Sequence, residues 1–455
     1  MKSVDFSAFK AYDIRGVYPD QVNSNVAKLL GQAYVQLIQK ENSGKSLNIV
    51  VSRDMRPSSA ELEEALIEGI IASGANVIQV GLNTTPTFYF AVAHYQYDGG
   101  IQITASHNPS EYNGFKLVRN RARPIGEGTG MEDIVQLIKD GQFLQTDKPG
   151  KIIQLKSVMA DQIEFISTLV NLEEIKPLKI VVDAGNSVGA LDMEAIFKKL
   201  PCELIPLYFE LDGTFPNHDA DPLKPENLKD LQNKVIEQQA DLGIALDGDG
   251  DRMFFVDEKG EEVPQAILRG MMAQIELKSH PNATVCYDIR PGKVTQDMID
   301  EAGGKAVITR VGHSLIKAKM EETDAIFGGE SSGHYFYKFE FGTFDTPLVL
   351  LVKFLNHISQ QNKPLSAIVK PYKRYSHSGE INSTVKDKDK VIEKLAKKYA
   401  DADISYLDGI TITYPDFWFN VRPSNTEPKL RLNLEAINDE IMAKKRDEVL
   451  SVIRN

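Results

Sequence analysis

Leu242-Gly243-Ile244-Ala245-Leu246-Asp247-Gly248-Asp249-Gly250-Asp251-Arg252 runs from an apolar stretch straight into three carboxylates separated by glycines. In an extended chain alternate side chains point the same way, so the three acids can face one point while the glycines let the backbone curl around it. Such charges repel one another unless a cation sits among them. Hard oxygen ligands, with no His or Cys nearby in sequence, favour Mg2+ or Ca2+ over zinc. Arg252 would then stand beside the metal, within reach of a phosphate or another anion.

The apolar stretch before these acids closes one of three segments that share a layout. The first opens with Asn48-Ile49-Val50-Val51, passes a helical segment at Ser58 to Ile71 and a strand at Ala75 to Val80, and reaches Gly100 to Ile103. The second opens with Lys179-Ile180-Val181-Val182-Asp183, passes a helix at Leu191 to Leu200 and a strand at Glu203 to Tyr208, and reaches Gly243 to Leu246. The third opens with Thr284-Val285-Cys286-Tyr287-Asp288, passes a helix near Lys293 to Glu301 and a strand at Ala306 to Thr309, and reaches Ala325-Ile326-Phe327. Strands alternating with helices predict three α/β units on mostly parallel sheets, whose ligand end lies beyond the carboxyl ends of the strands. Each closing strand enters a polar loop there: Thr104 to Pro109, Asp247 to Arg252 and Gly328 to His334. Gly379 to Asn455 breaks the pattern, with strand-like Leu430 to Leu434 before a helix from Asp439, and reads as a smaller α+β domain. The expected domains are residues 1–150, 151–255, 256–370 and 371–455.

A chain of 455 residues exceeds the size at which one core keeps growing. The formal charge of −12 argues against broad nucleic-acid or anionic-membrane binding, because such surfaces need surplus Lys and Arg. An anionic substrate therefore requires a local cationic pocket. Cys202 and Cys286 are the only cysteines; both lie in apolar stretches and read as buried, reduced thiols. No leader pattern or membrane-length apolar run is present, so a cytoplasmic enzyme is expected.

Each loop has a plain alternative. Asn108-Pro109 initiates turns, and Ser106 suits a turn. A Ser106-His107 hydrolase fits poorly, because adjacent side chains in an extended chain point apart and no G-x-S-x-G elbow surrounds them. A serine that carries phosphate fits better: its charge needs a metal and cations, and Lys116, Arg15 and Arg252 are available. The aspartates could instead form a solvated turn. An EF-hand loop is excluded by Arg252 at the sixth position, where that loop requires Gly, and by strand-like flanks. An aspartyl nucleophile after a strand would leave the serine loop without a role. Gly328-Gly329-Glu330-Ser331-Ser332-Gly333-His334 offers a carboxylate and hydroxyls on a glycine-rich bend, suited to sugar hydroxyls or to a simple tight turn. Arg422-Pro423-Ser424-Asn425-Thr426-Glu427-Pro428 offers a planar guanidinium and further donors in a bend pinned by prolines. Trp418, between Phe417 and Phe419, reads as packing.

In this order and across this length, the four loops resemble those of the α-D-phosphohexomutases, most closely the phosphomannomutase/phosphoglucomutase branch. The resemblance runs from Lys10-Ala11-Tyr12-Asp13-Ile14-Arg15-Gly16 to the loop at Arg422. It implies three related α/β domains with mixed, largely parallel sheets plus a smaller C-terminal α+β domain, around a central cleft. It implies Ser106 as the phosphorylated residue, with Ser106, Asp247, Asp249 and Asp251 holding Mg2+. Lys116 and His107 would serve proton transfer, and Arg15 and Arg252 would stabilise the moving phosphoryl group. Tyr12, Arg290, Gly312, His313, Glu330, Ser332 and His334 would contact substrate, and Arg422, Ser424, Asn425 and Thr426 would clamp the distal phosphate. The implied isomerase interconverts hexose 1-phosphate and hexose 6-phosphate, of mannose or glucose, through a hexose 1,6-bisphosphate that also serves as activator. Its partners would be small-molecule sugar phosphates, without nucleic acid or membrane, in a monomer or weak homodimer. Phosphoglucosamine mutase, a non-catalytic sugar-phosphate-binding relative, and an aspartate-dependent phosphoryl transferase are the alternatives. Ser331 departs from the Glu, Met or Gln that the family's sugar loop often carries, which leaves the preferred sugar open.

Overall fold

The computed structural model describes residues 4–144, 146–290, 292–424 and 429–454. The chain forms two compact units: one runs to Val263 and adds Ser332–Ser366, and the other comprises Pro264–Ser331 and Ala367 onward.

The first unit holds two mixed sheets. In one, β1 (Ile14–Val17), β2 (Asn48–Arg53), β3 (Asn76–Leu82), β4 (Gly99–Ile103), β5 (Tyr112–Arg119) and β6 (Ile152–Gln154) lie in the order β1-β5-β4-β2-β3-β6. β4, β2, β3 and β6 are parallel, whereas β5 runs antiparallel to β4 and to β1. This sheet extends past Gly150, the expected end of its domain. β2 shows why its sequence is continuously apolar. Ile49 and Val51 pack with helices Ser24–Glu41 and Ser59–Ala72 on one face, and Val50 packs with helix Thr85–His94 on the other. A parallel strand covered on both faces has no solvent side to mark with polar residues.

The second sheet of this unit contains β7 (Lys179–Asp183), β8 (Glu203–Leu207), β9 (Leu242–Leu246) and β10 (Met253–Asp257), in the order β10-β9-β7-β8. β7, β8 and β9 are parallel and β10 returns antiparallel. An antiparallel hairpin, Tyr335–Phe339 and Gly342–Asp345, also belongs to this unit.

In the other unit, strands Thr284–Asp288, Lys305–Thr309 and Phe327–Gly329 are parallel. The terminal region is an antiparallel sheet built on Lys429–Ala436 and Phe417–Pro423, with helices Lys388–Lys398 and Asp439–Arg454. Trp418, expected only to pack, also donates from Nε1 to Glu435 Oε2 at 2.7 Å. That carboxylate in turn accepts the amide of Lys293 at the start of helix Lys293–Glu301. Cys286 is buried, but Cys202 is only half-buried, and both are free thiols. Among the described residues, no helix is long and apolar enough to cross a membrane.

Candidate active site

β4 and β9 end in the two loops that meet. Ser106 is fully buried and adopts φ 51°, a left-handed conformation that costs a non-glycine residue about 1 kcal/mol or more. Its amide donates to Thr104 Oγ1 at 2.9 Å, and its Oγ donates to Asp247 Oδ2 at 2.8 Å. The extended backbone assumed from sequence is absent here, so His107 is not turned away. His107 Nδ1 lies 3.2 Å from Ser106 Oγ. Burial, then the charges of Arg252 and Arg15, hold the His107 pKa well below the ordinary value, so the ring is neutral.

The aspartate loop curls as its glycines allow. The amides of Asp251 and Arg252 donate to Asp247 Oδ1 at 3.0 and 3.1 Å. Gly250 has φ 71°, and a Cβ on Gly248 would stand 2.3 Å from the Ser106 carbonyl oxygen, so only glycine lets the two loops approach this closely. Ligand oxygens of Asp247, Asp249 and Asp251 lie within 4.8 Å of one another, all buried. Lys116, on β5 opposite Gln102 of β4, donates to Asp249 Oδ2 at 2.7 Å and to Asp251 Oδ2. Burial opposes its charge, yet Asp249 and Asp251 raise its pKa well above the ordinary value. Burial, then Asp251 and Asp249, raises the Asp247 pKa strongly. Asp249 Oδ1 and Asp251 Oδ1 are buried without a hydrogen bond among the described residues. Clustered oxygens with unbonded acceptors fit a hard divalent cation.

Arginines flank the cluster. Arg15 donates to Asp13 Oδ2 at 2.7 Å and to Asn108 Oδ1 at 2.8 Å, beside the serine loop; Tyr12 is half-buried just before Asp13. Arg252 Nε donates to His334 Nε2 at 3.1 Å, and His334 Nδ1 lies 3.0 Å from Asp345 Oδ1. His334, expected among the substrate contacts, therefore has both ring nitrogens engaged by protein. Ser332 is buried.

The second unit carries a separate ionic network. Arg269 Nη1 donates to Asp288 Oδ1 at 2.7 Å and to Ser331 Oγ at 2.7 Å, while the amide and hydroxyl of Ser331 donate to the same carboxylate oxygen. Arg290 donates to Asp288 Oδ2 and, through Nη2, to Glu330 Oε1 at 2.9 Å. Gly312, at φ 139°, precedes the helix that His313 begins. Arg422 is buried and donates to Glu380 Oε2 at 2.7 Å; the Ser424 carbonyl accepts from Lys388 at 2.9 Å. Asn425 and Thr426 lie outside the described residues.

The motifs gave no sign of Arg56, Thr85, Asp345, Arg269 or Asp288 as site neighbours. Thr85 Oγ1 donates to Asp249 Oδ2 at 2.6 Å.

Four family models match in sequence order. The phosphoglucomutase/phosphomannomutase alpha/beta/alpha domains I, II and III match residues 7–145, 160–260 and 264–375, and the C-terminal domain of that family matches residues 380–452. The chain belongs to the phosphoglucomutase/phosphomannomutase family. A phosphomannomutase of Vibrio cholerae is 35% identical, with 99% of each chain covered. One of Methanocaldococcus jannaschii is 38% identical over 99% of this chain and 98% of its own. A crystal structure of a phosphoglucomutase/phosphomannomutase family protein from Burkholderia thailandensis superposes with TM-score 0.90 at 35% identity, covering 99% of this chain and 97% of that one. Membership makes the chain an intramolecular phosphotransferase, an isomerase of hexose phosphates, with the expected fold class of three α/β domains and a smaller α+β domain.

Proposed function

We propose that this chain moves a phosphoryl group between the C1 and C6 hydroxyls of mannose or glucose phosphate, with Ser106 as its carrier. The observation that carries the reading is Ser106 Oγ, 2.8 Å from Asp247 within the aspartate cluster and 3.2 Å from His107 Nδ1. Phosphorylated Ser106 gives its phosphoryl group to one sugar hydroxyl: a new P–O bond forms to the sugar, the bond to Ser106 Oγ breaks, and a bisphosphate results. After the sugar reorients, the other phosphoryl group returns to Ser106. His107 can accept the hydroxyl proton, and Arg15 and Arg252 face the charge that spreads over the transferring oxygens. Ser106, Asp247, Asp249 and Asp251 would hold Mg2+, which supplies charge stabilisation at that phosphoryl group. Glu330, Ser332, Arg290, Gly312 and His313 serve the sugar; Arg422, Ser424, Asn425 and Thr426 serve the phosphate that is not transferred. Small sugar phosphates are the expected partners, and the chain would act in the cytoplasm as monomer or weak homodimer. A coupled assay on mannose 1-phosphate and glucose 1-phosphate, with Mg2+ and trace hexose 1,6-bisphosphate, should show isomerisation; none with either sugar would refute the reading.

A further inference from the structure

Arg56 sits in the loop after β2, next to the loop after β4, because the two strands are parallel neighbours. Its side chain is fully buried. Nη2 donates to the carbonyls of Ser106 at 2.8 Å and Asn108 at 2.6 Å, and Nη1 donates to those of Pro109 at 2.7 Å and Tyr112 at 3.0 Å. Nε donates to Asp54 Oδ2 at 3.2 Å, and Asp54 Oδ1 also accepts the Arg56 amide at 3.0 Å. Phe215 covers the guanidinium, its ring centre 5.0 Å from Cζ. Every part of the planar fork is thus spent on one loop or on its own orienting carboxylate.

We infer that Arg56 is a positioning residue for phosphoryl transfer: it holds the serine loop in the turn that points Ser106 Oγ at the aspartate cluster. The inference rests on the mutase reading. Ser106 adopts a left-handed conformation that its own side chain disfavours, so neighbours must impose it. Thr104 holds the amide and Arg56 holds the carbonyl of that same residue. Four carbonyls converging on one guanidinium fix the curve of the loop from Ser106 to Tyr112, a geometry that the ammonium of lysine cannot match. Arg56 does not touch the Asp247, Asp249 or Asp251 side chains through any of these bonds, so it acts through the loop.

The test compares Arg56→Lys and Arg56→Gln with wild type in the coupled assay, alongside thermal melts and intact-mass measurement of Ser106 phosphorylation by hexose 1,6-bisphosphate. A loop displaced by about 1 Å should lower kcat about 10²-fold while KM changes little. Ser106 phosphorylation should slow in parallel, and Lys should rescue no better than Gln. A merely structural role would lower the folded fraction and leave kcat per folded molecule near wild type, which would overturn the inference. Asp54→Asn keeps the guanidinium but weakens its orientation; a fall in kcat at unchanged KM is expected, and wild-type kcat would overturn the inference even if the Arg56 variants fail to fold. Inactive wild type instead overturns the mutase reading itself, so the two failures are distinguishable.

Discussion

The aspartate loop of the first unit and the Asp288 network of the second are both buried ionic clusters at strand ends, yet they differ in charge balance. Asp247, Asp249 and Asp251 bring three carboxylates to one salt-bridged lysine and an arginine whose nearest ion-pair distance to Asp247 is 3.7 Å. Two of their oxygens make no hydrogen bond among the described residues. Asp288 and Glu330 meet Arg269 and Arg290, two charges against two, and every Asp288 oxygen is engaged. Although burial opposes it, the arginines lower the Asp288 pKa. Excess negative charge calls for a cation; a balanced network holds a loop in place. Similar acidic residues after similar strands thus take different work.

The contrast breaks most sharply at Ser106. Ser106→Ala should reduce turnover at least about 10³-fold with the thermal melt little changed, read in the coupled assay; surviving activity would favour an aspartate as the phosphoryl carrier. Next, chelation should reduce turnover about 10²-fold or more and Mg2+ should restore it. Chelator-resistant turnover would remove the distinction between the unbalanced and the balanced cluster.

Asp288→Asn tests the other side. It leaves buried Arg269 facing a neutral amide while half-buried Arg290 keeps Glu330, so stability should fall by about 3 kcal/mol in chemical denaturation, with KM rising as Ser331 loses its anchor. A change within experimental error would show that the network does not depend on its central charge.

The smallest effect concerns Asp192, a buried acid that accepts from Thr84 Oγ1 at 2.9 Å, beneath the helix whose Thr85 holds Asp249. Burial raises its pKa to about 7. The folded pKa lies above the unfolded one, so the stability it contributes is complete below the unfolded value and is lost as pH rises toward 7. Asp192→Asn should therefore gain on wild type by at most about 1.4 kcal/mol per pH unit across that window. Parallel stability curves would place the ionised form comfortably in the fold.

The parts of the site that were legible in the sequence are local. The alternation Asp247, Asp249, Asp251, the glycines between them and the strand before them are carried by consecutive residues, as are the three strand and helix repeats. What was not legible depends on backbone conformation or on distant pairing. In an extended chain His107 need not reach Ser106, whereas Ser106 is left-handed, which nothing in a non-glycine residue announces. Arg56 contacts carbonyls 50 to 56 positions away, which have no side-chain signature. His334 falls within the sugar-loop motif, but its engagement with Arg252 and Asp345 needs the hairpin Tyr335–Asp345 to fold back. Trp418 looked apolar between phenylalanines because its Glu435 partner lies on the neighbouring strand.

The most direct test of the central claim is the covalent state of Ser106. Dephosphorylated protein incubated with hexose 1,6-bisphosphate and Mg2+ should gain the mass of one phosphoryl group, located on Ser106 by fragmentation and absent from Ser106→Ala. A phosphoryl group on Asp247 or another aspartate, or turnover with no label on Ser106, would contradict it.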